Sequence, residues 1–242
     1  PERAMKSAKR LETLVPAAGH LVHMPSHTYM RTGNYAGAIA SNAKAAEVDR
    51  KYITETNATG FYPAMYYTHN LDFLASAAMM AGRYAEALKA SKEVIANVMP
   101  QVPAMMMLEP FGAKELFVQV RFAKWNDVLA LPAPAADFKI LTTLHHWGRG
   151  VAHAALGHVA DAEKERDAFT AARRTVSDGT LFNLNPAANI LDVAAAVLDA
   201  RIAQAKGDTD ASIDAWKKAV AAEDKITYNE PPDWFYPTRE SL

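Results

Sequence analysis

Ala81-Gly82-Arg83-Tyr84-Ala85-Glu86-Ala87 is the stretch on which the fold depends, because its layout recurs along the chain. Thr32-Gly33-Asn34-Tyr35-Ala36-Gly37-Ala38, Leu156-Gly157-His158-Val159-Ala160-Asp161-Ala162 and Lys206-Gly207-Asp208-Thr209-Asp210-Ala211-Ser212 repeat it. Ala123-Lys124-Trp125-Asn126-Asp127-Val128, third in chain order, is a further copy with Ala in place of the Gly. Gly ends a helix well because the chain must turn through the left-handed region there. A larger side chain two residues later plugs the crook of the turn, and a small residue three places further lets the next helix approach closely. Recurrent turns of this kind predict an all-α protein, an α-α superhelix of stacked antiparallel hairpins.

A register test supports the reading. With Ala87 as the small residue of the turn, Leu71, Leu74, Ala75 and Ala78 fall on the inner stripe of the first helix, and Ser91, Val94 and Met99 on that of the second. Around Ala38 the match is poorer, with Val22, Pro25, Ser26 and Tyr29 before it and Asn42, Ala45 and Arg50 after it. The fourth copy has Gly150 and Phe169 at the corresponding places, and the fifth has Ala196, Ala200, Ala203, Trp216 and Ala219. The pattern resembles the tetratricopeptide repeat, and the resemblance implies a solenoid in which the first helix of each pair lines a concave groove. Most turn-to-turn intervals exceed the standard repeat of about 34 residues. The excess falls in irregular loops at 54–64, 99–110, 131–137 and 177–186, marked by Pro and Gly.

The chain therefore reads as one repeat array over 1–242, with hairpins at 20–52, 66–99, 109–131, 143–175 and 188–226. Residues 1–16, through Ala4, Ala8, Leu11 and Pro16, have the spacing of the second helix of a truncated repeat, and 231–242 are expected to open a further one. On that expectation the natural polypeptide is longer at both ends.

Composition narrows the function. Lys and Arg number 26 against 27 Asp and Glu, a formal charge of -1, so no surface suited to a nucleic-acid backbone is expected. With no cysteine, disulfides and thiolate metal sites are excluded. No apolar run reaches the roughly 18 residues of a membrane span. Phosphate-binding Gly loops, G-x-S-x-G, H-E-x-x-H and EF-hand loops do not occur.

Three further stretches carry a closer resemblance: His20-Leu21-Val22-His23-Met24-Pro25-Ser26-His27-Thr28-Tyr29, Tyr66-Tyr67-Thr68-His69-Asn70 and Glu230-Pro231-Pro232-Asp233-Trp234-Phe235-Tyr236-Pro237. Through them the whole chain is similar to the C-terminal half of a bacterial family of long tetratricopeptide-repeat proteins. That resemblance implies a further histidine-bearing array on the N-terminal side, behind an export signal in longer members, and no particular reaction. The compartment it leaves open is cytoplasmic or exported.

Histidine placement is the feature that rises above scaffold. His20, His23 and His27 are spaced i, i+3, i+7 and share one helical face. In the repeat register they look into the groove, with His69 and Asp72 beside them on the next first helix. Imidazoles and a carboxylate so gathered suit Zn, Cu, Ni or Fe, or acid and base work near neutral pH. Pro25 stands against this, since it interrupts the helix between His23 and His27. Met30 and Arg31, with Met79 and Met80 one repeat on, are expected to floor the groove, and Trp147, after His145 and His146, to extend it. His153 and His158 read as structural, Met105 to Met107 as a loop buried against a helix, and Asn70, Asn183, Asn185 and Asn189 as helix caps.

Two functions follow. The first is a binding scaffold, not an enzyme, holding a protein, peptide or small ligand in the groove through His20, His23, His27, Met30, Arg31, His69, Asp72, Met79, Met80 and Trp147. The second is a metal-binding or metal-dependent hydrolytic or redox protein using His20, His23, His27, His69 and Asp72 as ligands.

Overall fold

The computed structural model describes residues 1–242. The chain is all-helical apart from a short antiparallel ribbon in which Leu181–Phe182 pairs with Asn185–Pro186. It divides into two compact units, Pro1–Met105 and Met106–Leu242, parting within the loop expected at 99–110. No helix is long and apolar enough to cross a membrane.

The first unit contains α1 (Met5–Leu14), α2 (Gly19–His23), α3 (Pro25–Arg31), α4 (Tyr35–Thr56), α5 (Thr68–Met80) and α6 (Tyr84–Val98), with a π-helical turn at Tyr62–Tyr67 leading into α5. α4 packs on α2 and α3, and α5 packs between α4 and α6. Their composition explains this order. α6 buries Ala87, Ala90, Ser91, Val94 and Val98, one stripe at helical spacing. α5, covered from both sides, buries almost every residue from Asn70 to Met79.

The second unit contains α7 (Lys114–Arg121), α8 (Trp125–Ala130), α9 (Lys139–Ala155), α10 (Val159–Arg173), α11 (Ala187–Ala205) and α12 (Thr209–Glu223). Successive helices pack pairwise, and α11 also lies against α9. Added to Gly150 of α9, a Cβ would stand 2.8 Å from the Leu198 side chain of α11, which would have to shift to admit it.

All five turns close as the sequence reading requires. At the turn from α5 to α6, Gly82 has φ +72°, its N–H donates to Met79 O at 3.2 Å, and Arg83 N–H reaches back to Ala78 O at 2.9 Å. That pair of bonds is the Schellman arrangement, which satisfies carbonyls the helix end would leave bare. The copy lacking glycine obeys the same geometry: Ala123 is held at φ +53°, and Lys124 N–H donates to Gln119 O at 2.9 Å. The small residues after the turns, Ala38, Ala87, Val128, Ala162 and Ser212, are all buried.

Several expectations are corrected. Residues 231–242, expected to open a further repeat, run irregularly to a 3-10 turn at Thr238–Ser241. Trp234, Phe235 and Tyr236 are instead buried, with Phe235 stacked on Phe117 at 4.6 Å. Two adjacent prolines remove backbone donors at the start of the segment, and the carboxylate of Asp233 ties it down by accepting from Asn183, Asn185 and Asn229 at 2.7–2.8 Å. Asn183 and Asn185 are thus clasps and not helix caps, and α11 starts behind Pro186 without a side-chain cap. The stretch expected as a loop from 54 is helical to Thr56 and resumes as the π-helical turn. Met106 and Met107 are exposed where burial was expected.

Candidate metal centre

The centre lies in the first unit, where α2 and α3 present His20, His23 and His27 to α5, which carries His69. Pro25 ends the regular helix as expected and stands as the first residue of α3, but Met24 keeps a right-handed conformation (φ -51°, ψ -35°). The backbone stays right-handed through the proline, where Met24 N–H still reaches His20 O at 3.1 Å and His27 N–H turns more tightly onto Met24 O at 3.3 Å. The shared face of the three histidines therefore survives the interruption.

Ring nitrogens of His23, His27 and His69 all lie within 4.8 Å of one another. The Nε2 atoms of His23 and His27 are 3.0 Å apart, and the ring centroids of His23 and His69 are separated by 4.7 Å. For a metal–nitrogen bond of about 2.0–2.1 Å, two ligands of a tetrahedral ion stand about 3.3 Å apart. One pair already has close to that spacing, and the third ring is within a side-chain adjustment of it.

Protons on His23 are assigned by its surroundings. Asn42 of α4 donates its amide to Ala38 O at 2.8 Å, because a carbonyl there can only accept, and so its Oδ1 faces His23 Nδ1 at 2.6 Å. Nδ1 must then carry the hydrogen, which leaves the lone pair on Nε2, directed at His27. A carbonyl oxygen orienting the far nitrogen of an imidazole is the usual outer partner of a metal-ligating histidine. Ser26 Oγ lies 3.2 Å from the same Nδ1. Burial, and then the neighbouring His69, push the His23 pKa down to about 2, against the raising influence of Asn42, so the ring is neutral and its Nε2 lone pair accepts from His27 Nε2, a bond that an ion would replace.

Phe73 backs the cluster. Its ring, fully buried, meets His23 and His27 edge-on at 4.6 Å and His69 at 4.9 Å, so water is excluded from behind all three. The helices are held in register by Asp49 of α4, which accepts from Tyr62 Oη at 2.8 Å and from Asn70 Nδ2 at 2.6 Å. Asn70 is thus a tie to α4 and not a cap. The same carboxylate packs so closely on Gly19 that an added Cβ would lie 1.9 Å from Asp49 Oδ1. Burial raises the Asp49 pKa, although both hydrogen bonds act the other way.

The remaining expected site residues disperse. Asp72 is buried on α5 but is not among the three residues whose ligand atoms converge. Met79 is a core residue at 3% exposure, Met80 and Met30 are half-buried, and Arg31 is exposed. Trp147 is fully buried in the second unit, packed on Phe117, Trp234 and Phe235. An indole at the inner stripe of α9 buries more apolar area than any other side chain, and the aromatic run 234–236 supplies the partners. His146 is committed to a hydrogen-bond network, with Nδ1 2.7 Å from Glu165, which also accepts from Arg149 at 2.6 Å. Against burial, His146 and Arg149 hold the Glu165 carboxyl below the usual range. His153 is half-buried and His158 exposed beside the turn.

Asn42, Asp49, Tyr62 and Phe73 were not expected at the site. The one signal in the sequence was Asn42 itself, a polar residue at a position where the repeat wants an apolar or small one. No protein-family model, curated protein or solved structure matches this chain.

Proposed function

We propose that this chain is a tetratricopeptide-type repeat protein whose first unit binds one divalent transition-metal ion through His23, His27 and His69. The observation that carries the reading is the pre-oriented Nε2 lone pair of His23, fixed by Asn42 and set 3.0 Å from the Nε2 of His27. Asn42 and His27 already satisfy both ring nitrogens of His23, and a third imidazole, His69, brings a ligand atom within 4.8 Å of theirs, which a purely structural histidine does not need. An all-nitrogen donor set suits Zn, Cu, Ni or Fe(II) and disfavours Ca and Mg, which prefer oxygen. The repeat assignment is supported by the five positive-φ turns and the buried small residues that follow them.

Elemental analysis of protein purified without a polyhistidine tag, with calorimetric titration of the apo form, tests this. One equivalent of metal, lost in a His23→Ala, His69→Ala variant that keeps the helical circular-dichroism spectrum, is expected. No bound metal and no titration heat with Zn, Cu, Ni or Fe(II) would refute it.

A binding-scaffold reading is favoured by a separate feature of the second unit, a cleft of about 700 Å³ over α11 and α12 edged by Arg166, Asp199, Lys206 and Lys218. This volume is that of a small-ligand site. Saturation-transfer NMR of the whole chain with small carboxylates and amines as probes tests it, and absence of any contact signal would remove it.

A further inference from the structure

We infer that His20 is a fourth donor to the same ion and that the resulting shell is closed, so that the centre holds metal rather than offering it to a substrate. The inference rests on the three-histidine reading above and decides between its two chemical outcomes, a holding site and a metal-dependent enzyme.

Ring positions carry it first. The His23–His69 pair, 4.7 Å apart, is flanked on both sides: His27 lies 4.8 Å from His23 and 6.0 Å from His69, and His20 lies 5.3 Å and 6.1 Å from the same two rings. By ring centroid His20 is thus as near to His69 as His27 is, and a side-chain adjustment would bring its ligand atoms into the group of three that converge within 4.8 Å. Its ring stacks on His23 with an interplanar angle of 20°. Tyr66 meets it edge-on from the other side at 4.7 Å and limits its swing away from the cluster.

Hydrogen bonding carries it second. His20 Nδ1 is buried and has no hydrogen-bond partner in the protein. Leaving such a buried atom unsatisfied is unfavourable. Three polar side chains of α4 are engaged elsewhere: Asn42 on His23, Ser41 on Val22 O, and Asp49 on Tyr62 and Asn70. A bond from Nδ1 to an ion among the other imidazoles satisfies it.

Coordination chemistry then sets the class of site. Metal centres that keep an open position for water or substrate use three protein ligands, whereas four closing ligands are the mark of structural and holding sites. Phe73 blocks approach from behind, and His20 takes the position a water would need. α2, which carries His20, has only five residues and ends at Pro25, so this ligand moves more readily than His69 within the thirteen residues of α5. Ion entry and release therefore pass through displacement of His20.

The test is cobalt substitution of the full chain. Wild-type protein loaded with Co²⁺ should show the intense visible bands of a four-coordinate ion, unchanged by added azide. His20→Ala should weaken those bands, make them respond to azide, and lower cobalt affinity by more than the roughly 10–100-fold lost when an outer-shell partner is removed. His20→Gln, which better preserves packing, should do the same if the alanine variant loses helicity. A wild-type spectrum that shifts with azide, or a His20 variant with wild-type spectrum and affinity, overturns the fourth donor while leaving the three-histidine centre standing. Wild-type protein that takes up no cobalt overturns both.

Discussion

Asn42 does two things with one amide: it spends its donor on the backbone of its own helix and its acceptor on the far nitrogen of His23. Asn42→Leu keeps the volume and removes the orientation, so metal affinity should fall about 10–100-fold. Calorimetric titration of the variant checks this, and an unchanged affinity would show that His23 needs no external hold. His23 also shapes acid stability. Its folded pKa lies near 2 against an ordinary 6.5, so the unfolded chain takes up a proton that the native state refuses. Stability from this group is complete above pH ~6.5 and falls as pH drops toward 2, at about 1.4 kcal/mol per unit. Urea titrations of apo protein at pH 7 and pH 5 should show a loss that His23→Gln reduces by about 2 kcal/mol. The comparison isolates His23 from Asp49, Glu109 and Asp199, whose burial-raised carboxyl pKa values act with the opposite sign. Of these residues the sequence disclosed the histidines, because i, i+3, i+7 spacing survives any helix. Asn42 showed only as a misfit and Asp49 stayed hidden, since a polar residue on a buried stripe looks like a poor match until its partner from another helix is known.

Among the elements, the five turns were the most legible, because each must pass through positive φ and close with the same pair of backbone bonds. The instructive one is Ala123, which pays for that conformation with its Cβ. Ala123→Gly should raise the stability of the second unit by about 1 kcal/mol, the cost of a left-handed conformation for a residue with a side chain less the added chain entropy of glycine. Thermal unfolding followed by tryptophan fluorescence measures it, and a lower melting temperature would contradict the geometry. The segment after Glu230 was illegible for the converse reason. Nothing local to Trp234-Phe235-Tyr236 gives it a helical or strand period, and its conformation is decided by α7, α9 and three asparagine side chains remote in sequence. The π-helical turn before α5 belongs to the same class: Tyr62 is held by Asp49 from α4, and no pattern within 62–67 announces it.

For the whole chain, the proposed ion acts on the first unit, whose helices α2, α3 and α5 supply every ligand. Metal at a hundredfold excess over its dissociation constant should add about 2.7 kcal/mol to that unit's stability. Hydrogen exchange should show the gain as slower amide exchange in 19–31 and 68–80, and equal rates with and without metal would exclude the coupling. All-helical character was plain from the turns; the division at Met105 was not, because the loop at 99–110 looks like the other loops between hairpins.

The aromatic cluster that buries Trp147 and Trp234 has an optical consequence. All four indoles, at 125, 147, 216 and 234, belong to the second unit, and the first has none. Excitation at the red edge of the near-ultraviolet band therefore watches only one half of the chain, and a melting curve recorded that way is silent about the histidines. A Phe73→Trp replacement would put a lamp directly behind them.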